Sequence, residues 1–243
     1  MINSQEQLDE HSSDRIKEEQ IVLYNVRRYG AAGRTYHWVH AGAMMLFLST
    51  GWQIYTGDII FGDMNVIRTL HIALGIFIIF WDLIVQIAIM AIDGHVKDVI
   101  PTLTDITDII VILLCTLRII DDKYYPHYDF YDPTLGVYIR KYHPAQKFLS
   151  IADILAMLAM AVTGIALAEL LQPGSTGFMG FLAGATIFFS WLIPATQVNI
   201  RFLHFLLFLY FLLTTVFHIY FALIPQNFSR LRAMITGQEI IKE

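Results

Sequence analysis

Residues 200–224 read IRFLHFLLFLYFLLTTVFHIYFALI, and the only Lys, Arg, Asp or Glu among them is Arg201, next to the first residue. At a rise of about 1.5 Å per residue, a helix of this length is about 37 Å long, enough to cross a hydrocarbon core of about 30 Å. Inside it lie His204 and His218, fourteen residues apart. Fourteen residues are almost four turns, so the two histidines share one face and stand roughly 21 Å apart along the axis. A membrane helix carrying two imidazoles at two depths on one face decides the reading of everything around it.

Three further stretches have the length and apolarity of a span, at about 38–55, 68–92 and 148–171. Together with 200–224 they predict an all-α membrane protein, a four-transmembrane-helix bundle. Two shorter apolar stretches are expected at the interface. In 99–120 the apolar residues Val99, Leu103, Ile106, Ile110, Leu113, Leu114 and Leu117 recur at steps of three and four, the pattern of an amphipathic interfacial helix. The stretch 178–193, bounded by Pro173-Gly174 and Pro194, is short for a span and suits a re-entrant or interfacial helix. A five-span alternative, with 178–193 crossing, would invert the last helix and set His204 level with His37.

Composition agrees: 56% of the 243 residues are hydrophobic, 15% are charged, and the mean hydropathy is +0.55. A soluble domain is about 25% charged, so lipid is the simplest cover for the excess apolar surface. Acidic residues crowd the start of the chain (Glu6, Asp9, Glu10, Asp14, Glu18, Glu19) without apolar period, so residues 1–30 are expected to be a disordered acidic tail, and 226–243 a second tail. No basic, then apolar, leader opens the chain, so insertion through the first span is expected. Lys97, Arg118, Lys123, Arg140, Lys141 and Lys147 load the middle connection, and Arg27, Arg28 and Arg34 precede the first span. By the positive-inside rule both termini and that connection face the cytoplasm of a multi-pass protein in the cell (inner) membrane. Nothing basic points to nucleic acid. The single Cys115 excludes an internal disulfide or a cysteine-held cluster.

The four spans carry four histidines that pair by depth. His37 opens the first span at the cytoplasmic side and His71 opens the second at the outer side. His204 is then level with His71, and His218 with His37. Two pairs at two depths are what two six-coordinate haems require, each iron taking one imidazole from either side. Each histidine alone could merely hydrogen-bond a neighbouring helix, and His40, one turn from His37, is a rival ligand. Arg34-Thr-Tyr-His37, Arg68-Thr-Leu-His71 and Arg201-Phe-Leu-His204 repeat Arg-x-x-His. Residues three apart share a helix face, so Arg34, Arg68 and Arg201 are candidates for haem propionates. Gly51 and Gly75 are candidates for clearance beside a flat ring. Asp82, Gln86 and Asp153 are polar groups at membrane depth, functional candidates by default or partners of another helix.

Arg34-Thr-Tyr-His37-Trp38, Arg68-Thr-Leu-His71, Lys141-Tyr-His143-Pro-Ala-Gln146-Lys147 and Phe217-His218-Ile-Tyr220 resemble the di-haem cytochrome b (gamma) subunits of membrane-bound formate dehydrogenases. The b-type subunits of nickel-iron hydrogenases and thiosulfate reductases are similar relatives. The resemblance implies two haem b groups, the outer on His71 and His204 and the inner on His37 and His218. It implies a quinone reduced near the inner haem, with His143 and Gln146 at its site; the family has asparagine where this chain has His143. Asp153, near the cytoplasmic end, would serve the protons. The implied partners are a ferredoxin-like iron–sulfur subunit and a catalytic subunit on the outer face. The expectation is a membrane-anchor electron conduit of formate dehydrogenase type. A hydrogenase or thiosulfate reductase subunit is the alternative, and a haem-free transporter or proton channel is the alternative of another class.

Overall fold

The computed structural model describes residues 23–92, 96–171 and 197–242. Two compact units emerge, one built from residues 31–221 and one from the two ends of the chain.

In the end unit, β1 (Leu23–Arg27) pairs antiparallel with a strand at Gln238–Lys242. Residues 23–27, expected in the acidic tail, are thus ordered as a strand, and the second tail is a strand preceded by a helix at Phe228–Thr236. A buried ion pair explains the order: Arg28 Nη1 donates to Glu239 Oε2 at 2.7 Å, and Ser229 donates to the other oxygen at 3.1 Å. Gly237, at φ 88°, turns the chain from helix into strand, a conformation glycine adopts without strain.

The other unit is helical. α1 runs Ala31–Thr56 and α2 runs Met64–Ile92. Asp63 caps α2, accepting from the N–H groups of Asn65 and Val66. Inside α2, residues Trp81–Gln86 form a π-helical turn. α3 spans Leu103–Thr116. The expected helix over 99–120 is therefore shorter at both ends, because Pro101 cannot continue a helix and Thr102 with Asp105 starts a new one. Asp105 Oδ2 accepts from the Thr102 N–H at 2.7 Å and from its hydroxyl at 2.7 Å. A hairpin follows, β2 (Phe130–Asp132) with β3 (Val137–Ile139). α4 runs Pro144–Leu171 and α5 Gln197–Ala222. The stretch 178–193 lies outside the described residues.

Among the described residues three helices are long and apolar enough to cross a membrane: Met64–Ile92, Pro144–Ala168 and Asn199–Ala222. α1 has the length, 26 residues, but not the apolarity. Arg34, His37, His40, Thr50 and Gln53 dilute it, and the buried Thr50 and Gln53 turn towards protein. Contacts fix the run of the helices. Thr50 of α1 meets His71 of α2, while His40 meets Asp82, so the two are antiparallel. Tyr55 stacks on Phe205 of α5, and the His37 ring lies tilted against that of His218, so these two helices are again antiparallel. Thr163 of α4 meets His204, and Asp153 meets Tyr210. Ala43, Ile78 and Met157 pack together between α1, α2 and α4, with Phe211 of α5 against them.

Candidate functional site: two histidine pairs

α1 and α5 bring His37 and His218 together, ring centres 5.9 Å apart and planes at 46°. α2 and α5 bring His71 and His204 together, ring centres 6.4 Å apart and planes at 75°. Because His204 and His218 share a face of α5, the pairs form two layers along one helix. Two imidazoles on opposite sides of one metal, each nitrogen at about 2 Å, have ring centres about 6 Å apart. Both separations suit a metal between the rings, and no three His, Cys, Asp or Glu side chains gather into a bare-metal site among the described residues. Each layer offers two facing imidazoles, and the residues present fit a bis-imidazole haem there.

The His71–His204 layer is shaped around its rings. A side chain at Gly51 would stand 3.2 Å from His71 Cε1, and one at Gly164 would stand 3.3 Å from His204 Cε1. Gly75 does something else: a side chain there would meet the Phe47 ring at 3.3 Å. Phe47 in turn lies flat on His71, centres 4.3 Å apart and planes at 10°. Thr50 Oγ1 lies 3.0 Å from His71 Nδ1, and Thr163 Oγ1 lies 2.8 Å from His204 Nδ1.

The His37–His218 layer adjoins a polar cluster. Asp82 Oδ1 accepts from the Tyr36 hydroxyl at 2.7 Å and lies 2.8 Å from His40 Nδ1. Trp81 Nε1 donates to the Tyr36 carbonyl at 3.2 Å. The π-turn that contains Asp82 widens the helix by one residue per turn and re-aims its side chains, a device frequent at functional sites. On the other flank, Tyr210 donates to Asp153 Oδ1 at 2.6 Å.

The other expected site residues fall as follows. Arg34 is half-buried, with its Nε out of solvent, while Arg68 and Arg201 are exposed. Each stands one turn before its histidine. His143 and Gln146 meet, but as a helix cap: Gln146 Oε1 accepts from the His143 N–H at 3.1 Å, and His143 Nδ1 accepts from the Ala145 N–H at 3.0 Å. His143 also packs its ring edge-on to Tyr128, centres 4.3 Å apart. Asp153 is tied to Tyr210 of α5 instead. Tyr36, Thr50, Thr163, Gly164 and Tyr210 were not among the expected site residues, and neither was the contact that joins His40 to Asp82. The threonines had no distinguishing signal, since Thr-Gly occurs five times in the chain, at 50–51, 56–57, 163–164, 176–177 and 236–237.

Comparison with known proteins agrees in kind. Over 153 residues the chain is 30% identical to the F420 non-reducing hydrogenase II cytochrome subunit of Methanosarcina mazei. The match covers 60% of this chain and 56% of that relative, so the chain spans little more than half the relative's length. No family model matches, and no solved structure matches. What the chain is similar to is a cytochrome subunit of a hydrogenase.

Proposed function

We propose that the chain is a membrane-anchored cytochrome b subunit of a quinone-linked oxidoreductase, with two haem b groups in a bundle of four spans. The observation that carries this is the pair of histidine pairs, with ring centres 5.9 and 6.4 Å apart in two layers of one helix. The likeness to a hydrogenase cytochrome subunit supports the class. It supports a hydrogenase subunit as well as the sequence motifs support a formate dehydrogenase subunit, and the two remain equal readings of the donor.

When bound, the haems supply one-electron redox chemistry; the chain supplies everything else. His71 and His204 present nitrogens at the outer layer, His37 and His218 at the inner. Arg34, Arg68 and Arg201 sit one turn before their histidines, where a guanidinium can take a propionate in a forked pair. The apolar outer surface of the helices, including Phe202 (62% exposed) and Val216 (55%), is left for lipid. A quinone reduced near the inner layer needs protons, and the Tyr36–Asp82–His40 cluster beside it is a set of side chains able to hold one. The quinone site of His143, Gln146 and Asp153 is supported less directly, since His143 Nδ1 and Gln146 Oε1 are engaged in capping α4. An iron–sulfur subunit and a catalytic subunit on the outer face are the partners this reading requires, and the cell membrane, with both termini cytoplasmic, is its place.

A reduced-minus-oxidised spectrum of the purified chain tests the proposal. Sharp b-type bands are expected; their absence rejects it in favour of a transporter or channel with membrane histidines.

A further inference from the structure

A threonine and a glycine recur as neighbours on two helices, each against an outer histidine. Thr50-Gly51 of α1 faces His71, and Thr163-Gly164 of α4 faces His204. In both, the hydroxyl sits within 3.0 Å of Nδ1, and the glycine lets the ring lie where a side chain would come within 3.3 Å of Cε1. Both hydroxyls are also bonded to carbonyls of their own helix. Thr50 donates to the Phe47 carbonyl at 2.9 Å, and Thr163 to those of Ala159 at 2.8 Å and Met160 at 3.1 Å. A hydroxyl has one hydrogen and two lone pairs. With its hydrogen on a carbonyl, it can meet the imidazole only as an acceptor. Nδ1 must then carry the ring hydrogen, and Nε2 keeps the free lone pair. The His37 and His218 rings make no hydrogen bond among the described residues.

We propose that Thr50-Gly51 and Thr163-Gly164 form a two-sided cradle that fixes the tautomer and orientation of His71 and His204, making them the more basic of the two ligand pairs. This rests on the haem reading above and gives the threonines a positioning role. A hydrogen bond at the far nitrogen of a metal-bound imidazole orients the ring and raises its basicity. More basic ligands favour the oxidised metal, so the cradle lowers the potential of the outer site relative to the inner. That asymmetry favours electron passage from the outer layer to the inner one.

Redox titration of the full chain, purified in detergent and followed at the b-type bands, tests this. Thr50→Val and Thr163→Val remove the hydroxyl at nearly constant volume, while Thr50→Ser and Thr163→Ser keep it. His218→Ala identifies the inner component by deleting it. Each valine change is expected to move only the outer component to a more positive potential and to weaken haem retention there by about 10–100-fold; the serine changes stay at the parent potential. Alanine replaces valine if a valine chain does not accumulate, with the same expectation. An outer component unmoved by loss of either hydroxyl, or serine variants shifted as far as valine, overturns the cradle. A parent chain without b-type bands rejects the proposed function itself, whereas a parent with bands and unmoved variants rejects the cradle alone.

Discussion

His40 and His37 are one turn apart on α1, and sequence offers either as the inner ligand. Their surroundings separate them. His40 Nδ1 lies 2.8 Å from Asp82 Oδ1, whereas the His37 ring faces His218. A six-coordinate haem needs a second imidazole across from the first, and of these two histidines His37 has one, His218. His37→Ala is therefore expected to remove the inner haem, while His40→Ala keeps both haems and slows quinone reduction; haem content and turnover of the two variants measure the difference. Loss of the inner haem in His40→Ala would reverse the assignment. The pairing of the histidines was legible in sequence because spacing along a helix is a fixed length. Thr163 and Tyr210 were not, because their roles arise from contacts between α4 and α5, which are distant in the chain. Gly75 shows the same limit: its nearness to His71 in sequence did not reveal that Phe47 fills the space beside it.

Helix boundaries depend on caps as much as on apolar period. Reading the steps of three and four alone carried the interfacial helix through Pro101, although Thr102 and Asp105 mark a start in the sequence itself. His143 and Gln146 repeat the device at α4 with an imidazole in place of a hydroxyl, which no standard signature contains. α3 is also tethered to α4: Lys147 Nζ lies 3.1 Å from Asp105 Oδ2, and Arg140 bonds Asp108. Burial pushes the Asp105 carboxyl up. The Thr102 hydrogen bonds and the Lys147 ammonium outweigh that and hold it below the usual carboxylate range. A carboxyl lowered in the folded state contributes stability that is complete above its unfolded value, about 3.9, and is lost as pH falls through the lower folded value. Asp105→Asn is expected to cost about 1 kcal/mol at neutral pH and to flatten the acid limb of the unfolding curve, as read by hydrogen exchange over 103–116. An unchanged acid limb would remove Asp105 from that role. The π-turn at Trp81–Gln86 had no sequence signal, since α2 bulges where Asp82 reaches Tyr36 and His40.

For the whole molecule, apolarity and function pull against each other in α1. Three helices qualify as spans on composition, while α1 carries the ligand, the rival histidine, the cradle threonine and an arginine. In the proposed four-span arrangement those groups face other helices, and α1 crosses with them. The connection 57–63 then lies outside. A cysteine at Asp58, exposed in that turn, in a Cys115→Ser background, is expected to react with an impermeant reagent from the outer side of intact cells. Labelling only from the cytoplasmic side would contradict the topology.

The central claim is that the four histidines hold two haems in two separate layers. The haem-to-chain ratio of the purified protein tests it most directly, measured for the parent, His71→Ala and His218→Ala. The account expects two haems per chain in the parent and one in each variant, with a different spectral component missing each time. One haem in the parent, or the same component lost in both variants, would contradict it.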